Sequence, residues 1–279
     1  MSAETWSYDG SFEGLLTLVA RALDEDSAPA FVVSAARAGG LFDSAAARAA
    51  PAEEGAAERV MRLSRRLYAA AARAWMSEEA VEPALLAVAV ATGRRGEAAL
   101  GDFASAELRA LAEATRRVNR ETHRLEGFAR FTPGADGLLV ALLEPDHNVL
   151  PALAPYFQRR FGREAFALVD LARGYALVSR PQGDGTPALE ALCGAEALAL
   201  APRAARGGDG QSFAGNSPGA ALAGDPNGPD SGEADEAAAL WKRYFAATEN
   251  PARRNPRLQR QLMPSRYWKH LTEMEPRNR

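Results

Sequence analysis

GFARFTPGADGLLVALLEPDHNVLPALAPYFQRRFGREAFALVDLARGYALVS, residues 127–179, is the stretch that decides the fold. Gly127 to Phe131 and Leu138 to Leu143 are short apolar runs on either side of Thr132-Pro133-Gly134-Ala135-Asp136-Gly137, the pattern of two strands joined by a turn. Glu144-Pro145-Asp146-His147-Asn148 is a second turn, leading into a helix that holds two prolines. Pro151 suits a first helical turn, whereas Pro155 lacks the N–H an interior position uses. The main helix is therefore expected from Pro155 to Phe161. Ala165 to Leu171 and Tyr175 to Ser179 repeat the hairpin pattern around Ala172-Arg173-Gly174. The resulting order, β-β-α-β-β, predicts an α+β fold with helices covering one face of the sheet.

Toward the N-terminus the reading is helical. Thr5-Trp6-Ser7-Tyr8 is expected as a strand closed by Asp9-Gly10, after which Ser11 can cap a helix with Phe12, Leu15, Leu16, Val19 and Leu23 on one face. Phe31-Val32-Val33 is a further extended piece. Helices are expected over Arg59–Met76 and Glu82–Thr92 and from about Ser105, where Leu108, Leu111, Thr115, Val118, Thr122 and Leu125 recur at helical spacing. Alanine is so common beside Arg, Gly and Pro that propensity alone carries little weight. Toward the C-terminus, residues 203–235 are rich in Gly, Pro, Asp and Ser and lose apolar periodicity, the composition of a disordered linker. The expected organisation is an α+β domain over residues 1–202 with an inserted helical region at 57–126. The linker and a basic aromatic segment, 236–279, follow, and that segment is expected to dock on the main domain.

The 279 residues carry a net charge of −3, which gives no global case for a nucleic-acid partner. The distribution is more telling: Trp241 to Arg279 holds ten Lys or Arg against three Glu, a net of +7. With one cysteine, Cys193, no internal disulfide and no Cys-rich zinc or iron–sulfur site can form. No apolar run approaches the ~20 residues of a membrane span, and the first residues are polar and acidic, so the chain reads as cytoplasmic and without a membrane partner. Phosphate-loop and dinucleotide-binding glycine patterns are missing, as is the three-cysteine cluster of a radical SAM enzyme.

Three groups of motifs resemble a bacterial family of DNA-metabolism proteins whose chemistry is undefined. They are Tyr8-Asp9-Gly10-Ser11-Phe12-Glu13-Gly14-Leu15-Leu16 near the start; then His123 to Phe131, Glu144 to Pro151 and Arg173-Gly174-Tyr175; and finally Trp241 to Phe245, Arg254-Asn255-Pro256 and Met263 to Lys269. The resemblance spans nearly the whole chain outside the linker. It implies DNA as a partner and a radical SAM protein acting in DNA modification or repair. Some members of that family are joined to a uracil-DNA-glycosylase-like domain. The long linker and the lack of a glycosylase portion depart from that pattern, and no glycosylase assignment follows.

Several constellations could carry function. Asn119, His123 and Glu126 share a helical stripe with Arg116 and Arg120 beside it, and Arg116, Arg120 and Arg124 are candidate nucleic-acid contacts. A His and a carboxylate one turn apart can bind a metal or share a proton, and they equally make an ordinary solvated ion-paired face. Glu144, Asp146 and His147 could ligate a divalent metal, or serve as turn and cap residues. His123, Glu126, Glu144, Asp146 and His147 are thus the candidate catalytic set. Arg160 and Arg163, near Arg159, fit phosphate or the helix dipole. Arg254, Asn255, Arg257, Arg266 and Lys269 suit phosphate contacts, while Tyr267 and Trp268 either stack on bases or anchor the tail. The function expected is a DNA-binding protein of repair or modification acting with a radical SAM partner. A metal-dependent nuclease or base-processing enzyme, and an adaptor that contacts no DNA, are the alternatives.

Overall fold

The computed structural model describes residues 4–35, 52–134, 137–183, 185–201 and 265–271, with single positions at 239, 243, 257 and 263. The linker expected at 203–235 and most of segment 236–279 lie outside the described residues. The chain divides into two compact units, the first formed by Met1–Glu121 with Asp146–Asn148, the second by Thr122–Pro145 with Val149–Arg279.

In the first unit, strands β1 (Thr5–Tyr8) and β2 (Phe31–Ser34) pair in parallel across helix α1 (Phe12–Glu25). The Asp9–Gly14 motif starts that helix. Asp9 Oδ1 accepts from the Ser11 backbone N–H (2.9 Å) and hydroxyl (2.7 Å), and Ser11 Oγ accepts from Gly14 N–H (2.9 Å). A Cβ on Gly14 would collide with the Asp9 carboxylate, so only glycine leaves this cap intact. Phe12 packs edge-on to Tyr68 and beside Trp75, whose Nε1–H donates to Gly10 O (2.9 Å). The motif nearest the N-terminus is thus spent on capping and packing.

Helices α2 (Ala56–Leu63), α3 (Arg65–Met76) and α4 (Glu82–Arg95), with a 3₁₀ turn at Gly96–Gly101, complete the core around Leu15, Val19, Leu67, Leu85 and Leu86. The single helix expected over Arg59–Met76 is two. Ser64 adopts an extended conformation, and its hydroxyl accepts from Leu67 N–H (3.1 Å) to cap α3 while donating to Glu97. A hydroxyl that competes with the backbone in this way ends one helix and begins the next.

Helix α5 (Ala106–Phe128) starts at Ser105, whose hydroxyl accepts from Leu108 N–H (3.2 Å), and runs through the Glu121/Thr122 boundary between the units. Gly127 and Phe128, expected as strand, are its last turn. Leu125 is buried, and its carbonyl accepts from Ala129 N–H (2.9 Å), so the ladder continues into the region read as extended.

The second unit is built on a five-stranded sheet in the order β3-β4-β5-β6-β7: Phe131–Pro133, Leu139–Leu143, Phe166–Asp170, Tyr175–Pro181 and Pro187–Cys193. Both expected hairpins are present, and helix α6 (Leu150–Phe161) joins them by making β4 and β5 parallel. The fold class is α+β. All five residues of the central β5 are buried, because both faces of the sheet are covered and not one. Phe157 and Phe161 of α6 pack on Phe131 and Phe166 on one face. On the other, Val140, Ala167, Val169, Ala176 and Val178 meet Ala197 of the short α7 (Ala195–Ala199). Helix α6 begins at Leu150, with Pro155 inside it and exposed. The carbonyl that Pro155 leaves without a helical donor belongs to Pro151, on a half-exposed position where water can serve it. Strand β7 has no counterpart in the sequence reading. Its Ala, Leu and Glu favour helix, and pairing with β6 overrides that preference.

Candidate functional site

In the first unit, Asp146, His147 and Asn148 are held by backbone groups and one buried carboxylate. Glu121, 4% exposed on α5, accepts the N–H of Asp146 on one oxygen and that of His147 on the other, both at 2.8 Å. Asn148 N–H donates to Met76 O (2.9 Å), and Glu78 N–H donates to His147 Nδ1 (3.3 Å). His147 is buried, and Nδ1 is its accepting ring nitrogen. Asp146 is exposed, while Asn148 Oδ1 is buried with no hydrogen-bond partner among the described residues. The turn is therefore held by its main chain on Glu121 and Met76 and by the His147 ring on Glu78.

The neighbouring Glu144 and Pro145 belong to the second unit. Glu144 Oε1 lies 3.3 Å from His270 Nε2, and Pro145 O accepts from Arg173 Nη1 (3.1 Å). Asp170 is fully buried at the end of β5, where Oδ1 accepts the N–H groups of Ala172 (3.0 Å) and Arg173 (3.1 Å) and Oδ2 accepts from Arg173 Nη1 (2.6 Å). Gly174 takes a φ of +58° to close the same turn, which explains the Arg173-Gly174-Tyr175 motif as a structural tie. Burial pushes the Tyr175 hydroxyl up to about 12, with Cys193 opposite it adding to the shift.

His123 and Glu126 lie together on the last turns of α5, with Nδ1 and Oε2 3.3 Å apart and His123 exposed. Among the described residues no group of three or more His, Cys, Asp or Glu side chains is placed to hold a metal ion.

Each unit holds arginines with and without an ion pair among the described residues. In the first, Arg59, Arg94, Arg95 and Arg117 reach Asp24, Asp26, Asp102 and Glu79, and Arg116 is held by Glu113 at 2.6 Å; Arg120 is exposed. Each of those bonded aspartates has its carboxyl pulled below the usual range by its arginine. In the second unit, Arg159, Arg160 and Arg163 are exposed and Arg124 half-buried, and none makes an ion pair among the described residues.

Of the C-terminal segment, the 3₁₀ turn Ser265–His270 is described, and it packs on the second unit. Tyr267 is 3% exposed and lies against Phe128, with ring centroids 6.4 Å apart. Trp268 is half-buried and donates Nε1–H to Met263 O (3.1 Å). Tyr267 is packed in with no face open to a base, whereas the hydrogen bond of Trp268 stays within the segment. Arg257 is exposed; Arg254 and Asn255, and the side chains of Arg266 and Lys269, lie outside the described residues.

Glu121, Asp170 and Arg173 are the organising residues that the sequence reading did not select for these roles. Glu121 had a signal: it falls three residues after Val118 and four before Leu125, a carboxylate on the apolar stripe of α5. Asp170 at a strand end reads as turn chemistry, and nothing in its neighbours announces its burial.

No helix among the described residues is long and apolar enough to cross a membrane. Comparison with curated proteins finds no match, and comparison with solved structures finds none. The family described as a domain of unknown function, DUF4130, matches residues 79–273, which takes in α4, α5 and the whole sheet of the second unit. With most of its length inside that match, the chain belongs to this family of unknown function.

Proposed function

We propose that the protein binds DNA through its second unit and acts with a radical SAM partner in DNA repair or modification. The observation that carries the DNA part is the state of the arginines. Where Arg59, Arg94, Arg95 and Arg117 of the first unit are neutralised by carboxylates, Arg124, Arg159, Arg160 and Arg163 of the second have no acidic partner among the described residues. Exposed guanidinium groups that the protein does not satisfy internally are available to phosphate oxygens. The segment with ten basic and three acidic residues joins the same unit, where Tyr267 is packed in. The partner rests on the resemblance carried by Tyr8–Leu16, His123–Phe131 and Glu144–Pro151.

The test is fluorescence anisotropy with labelled single- and double-stranded oligonucleotides, for the wild type and an Arg254/Arg257/Arg266→Ala variant. Binding on the order of micromolar, weakened at least tenfold in the variant, is the expected result. No binding at low salt would remove the DNA reading. The radical SAM partner is checked separately by co-purification of the two proteins.

A further inference from the structure

The first unit holds a cavity of about 480 Å³ formed by α1, α2 and α4, and no candidate catalytic residue named above lines it. Five of its eight lining residues precede residue 79, where the match to the family begins. Leu23, Leu63 and Val90 give it an apolar lining, and Leu63 is 41% exposed there. Gly93 lets α4 approach α1, since a Cβ at that position would lie 2.9 Å from Leu23 Cδ2. Arg59, Arg62 and Arg94 supply positive charge, and Asp26 lines the cavity beside them.

We propose that this cavity binds a small organic phosphomonoester of about the size of a nucleoside monophosphate. Its volume falls in the range of small-molecule sites, which combine apolar walls with a few converging polar groups. Two of the guanidinium groups are already oriented. Arg94 donates Nε–H to Asp26 Oδ1 (2.6 Å), and its Nη2 donates to Asp26 Oδ2 (2.9 Å) and Asp26 O (3.0 Å); Arg59 donates through Nη1 and Nη2 to Asp24. These bonds occupy the forks that would otherwise grip a planar carboxylate, and leave Arg94 Nη1 and Arg59 Nε with donors to give. Arg62 is exposed and has no partner among the described residues. Three guanidinium groups from separate positions, each offering an edge, match the three terminal oxygens of a phosphomonoester better than the two of a carboxylate. Asp24, Asp26 and Glu53 beside Arg59 and Arg94 offset much of the positive charge. The free Arg62 therefore decides whether an anion is held, while the apolar walls take the body of the ligand.

The experiment is isothermal titration calorimetry on the full chain with AMP, GMP, CMP and ribose 5-phosphate, alongside adenosine and inorganic phosphate, for the wild type and Arg62→Ala. Arg62 is exposed and unpaired, so the variant should unfold at the wild-type urea midpoint. At least one phosphomonoester should bind at one site with Kd below about 1 mM. Arg62→Ala should weaken it at least tenfold, with adenosine and phosphate each binding at least tenfold more weakly. Arg62→Lys should recover part of the loss by restoring the charge without the fork. The proposal is overturned if no phosphomonoester binds, if Arg62→Ala binds as well as wild type, or if adenosine or phosphate alone binds as tightly as the esters. No DNA enters this assay, so its outcome is independent of the DNA reading.

Discussion

Glu121 is a buried carboxylate that receives two backbone N–H donors, from Asp146 and His147. Replacing it with Gln keeps the shape and sets an amide NH₂ against one of those donors. Glu121→Gln should therefore cost about 1–3 kcal/mol in urea unfolding, because a buried donor left unmet costs its full desolvation. An unchanged midpoint would show that the Asp146–His147 turn does not depend on it. Asp170 is the parallel case in the second unit, with three donors from Ala172 and Arg173 on a carboxylate that has no exposure. Asp170→Ala should cost about 3 kcal/mol or more, and Arg173→Ala less, since Arg173 is partly exposed and leaves the two backbone donors in place. The candidate residues were legible as chemical types, His and carboxylates at turn and helix positions. Their partners were not, because Glu121 meets Asp146 across 25 residues of sequence, and no local pattern encodes such a pairing.

At the scale of elements, periodicity identified α1, α4 and α5 and both hairpins, because each has an apolar face that must be covered. The misreadings came from single residues with two local roles. Ser64 ends one helix and caps the next, and Ser64→Ala should cost about 1 kcal/mol by urea unfolding. Pro155 reads as a helix start, yet sits in α6 on an exposed position where the missing hydrogen bond can be met by water. Pro155→Ala restores that bond and should raise stability by about 1 kcal/mol, and a loss of stability would contradict this account. The β6–β7 pairing places Tyr175 opposite Cys193 and carries a pH signature. The folded-state value of about 12 lies above the ordinary 10.0, so the unfolded chain loses its proton first as pH rises. The contribution of Tyr175 to stability is complete below pH 10.0 and is lost as pH climbs through about 12. Absorbance titration at alkaline pH should show a late-ionising tyrosine that disappears in Tyr175→Phe and titrates earlier in Cys193→Ser.

For the whole molecule, the fold class followed from the strand–helix–strand order of residues 127–179, which the five-stranded sheet contains. The division into two units at Glu121 was not legible, because α5 runs through the boundary without a break in its periodicity. Nor does the net charge of −3 disclose how the arginines are used. That depends on which carboxylates fold beside them: Asp24, Asp26 and Asp102 take arginines in the first unit, whereas Arg159, Arg160 and Arg163 at and beyond the end of α6 are left to solvent. The most direct test of the DNA-binding proposal is the dependence of DNA affinity on salt for the wild type and an Arg159/Arg160/Arg163→Ala variant. If these three arginines contact phosphates, the slope of log affinity against log salt should become shallower by roughly 2–3 in the variant, with the unfolding midpoint unchanged. A wild-type affinity that does not vary with salt, or a slope identical in the two proteins, would contradict it.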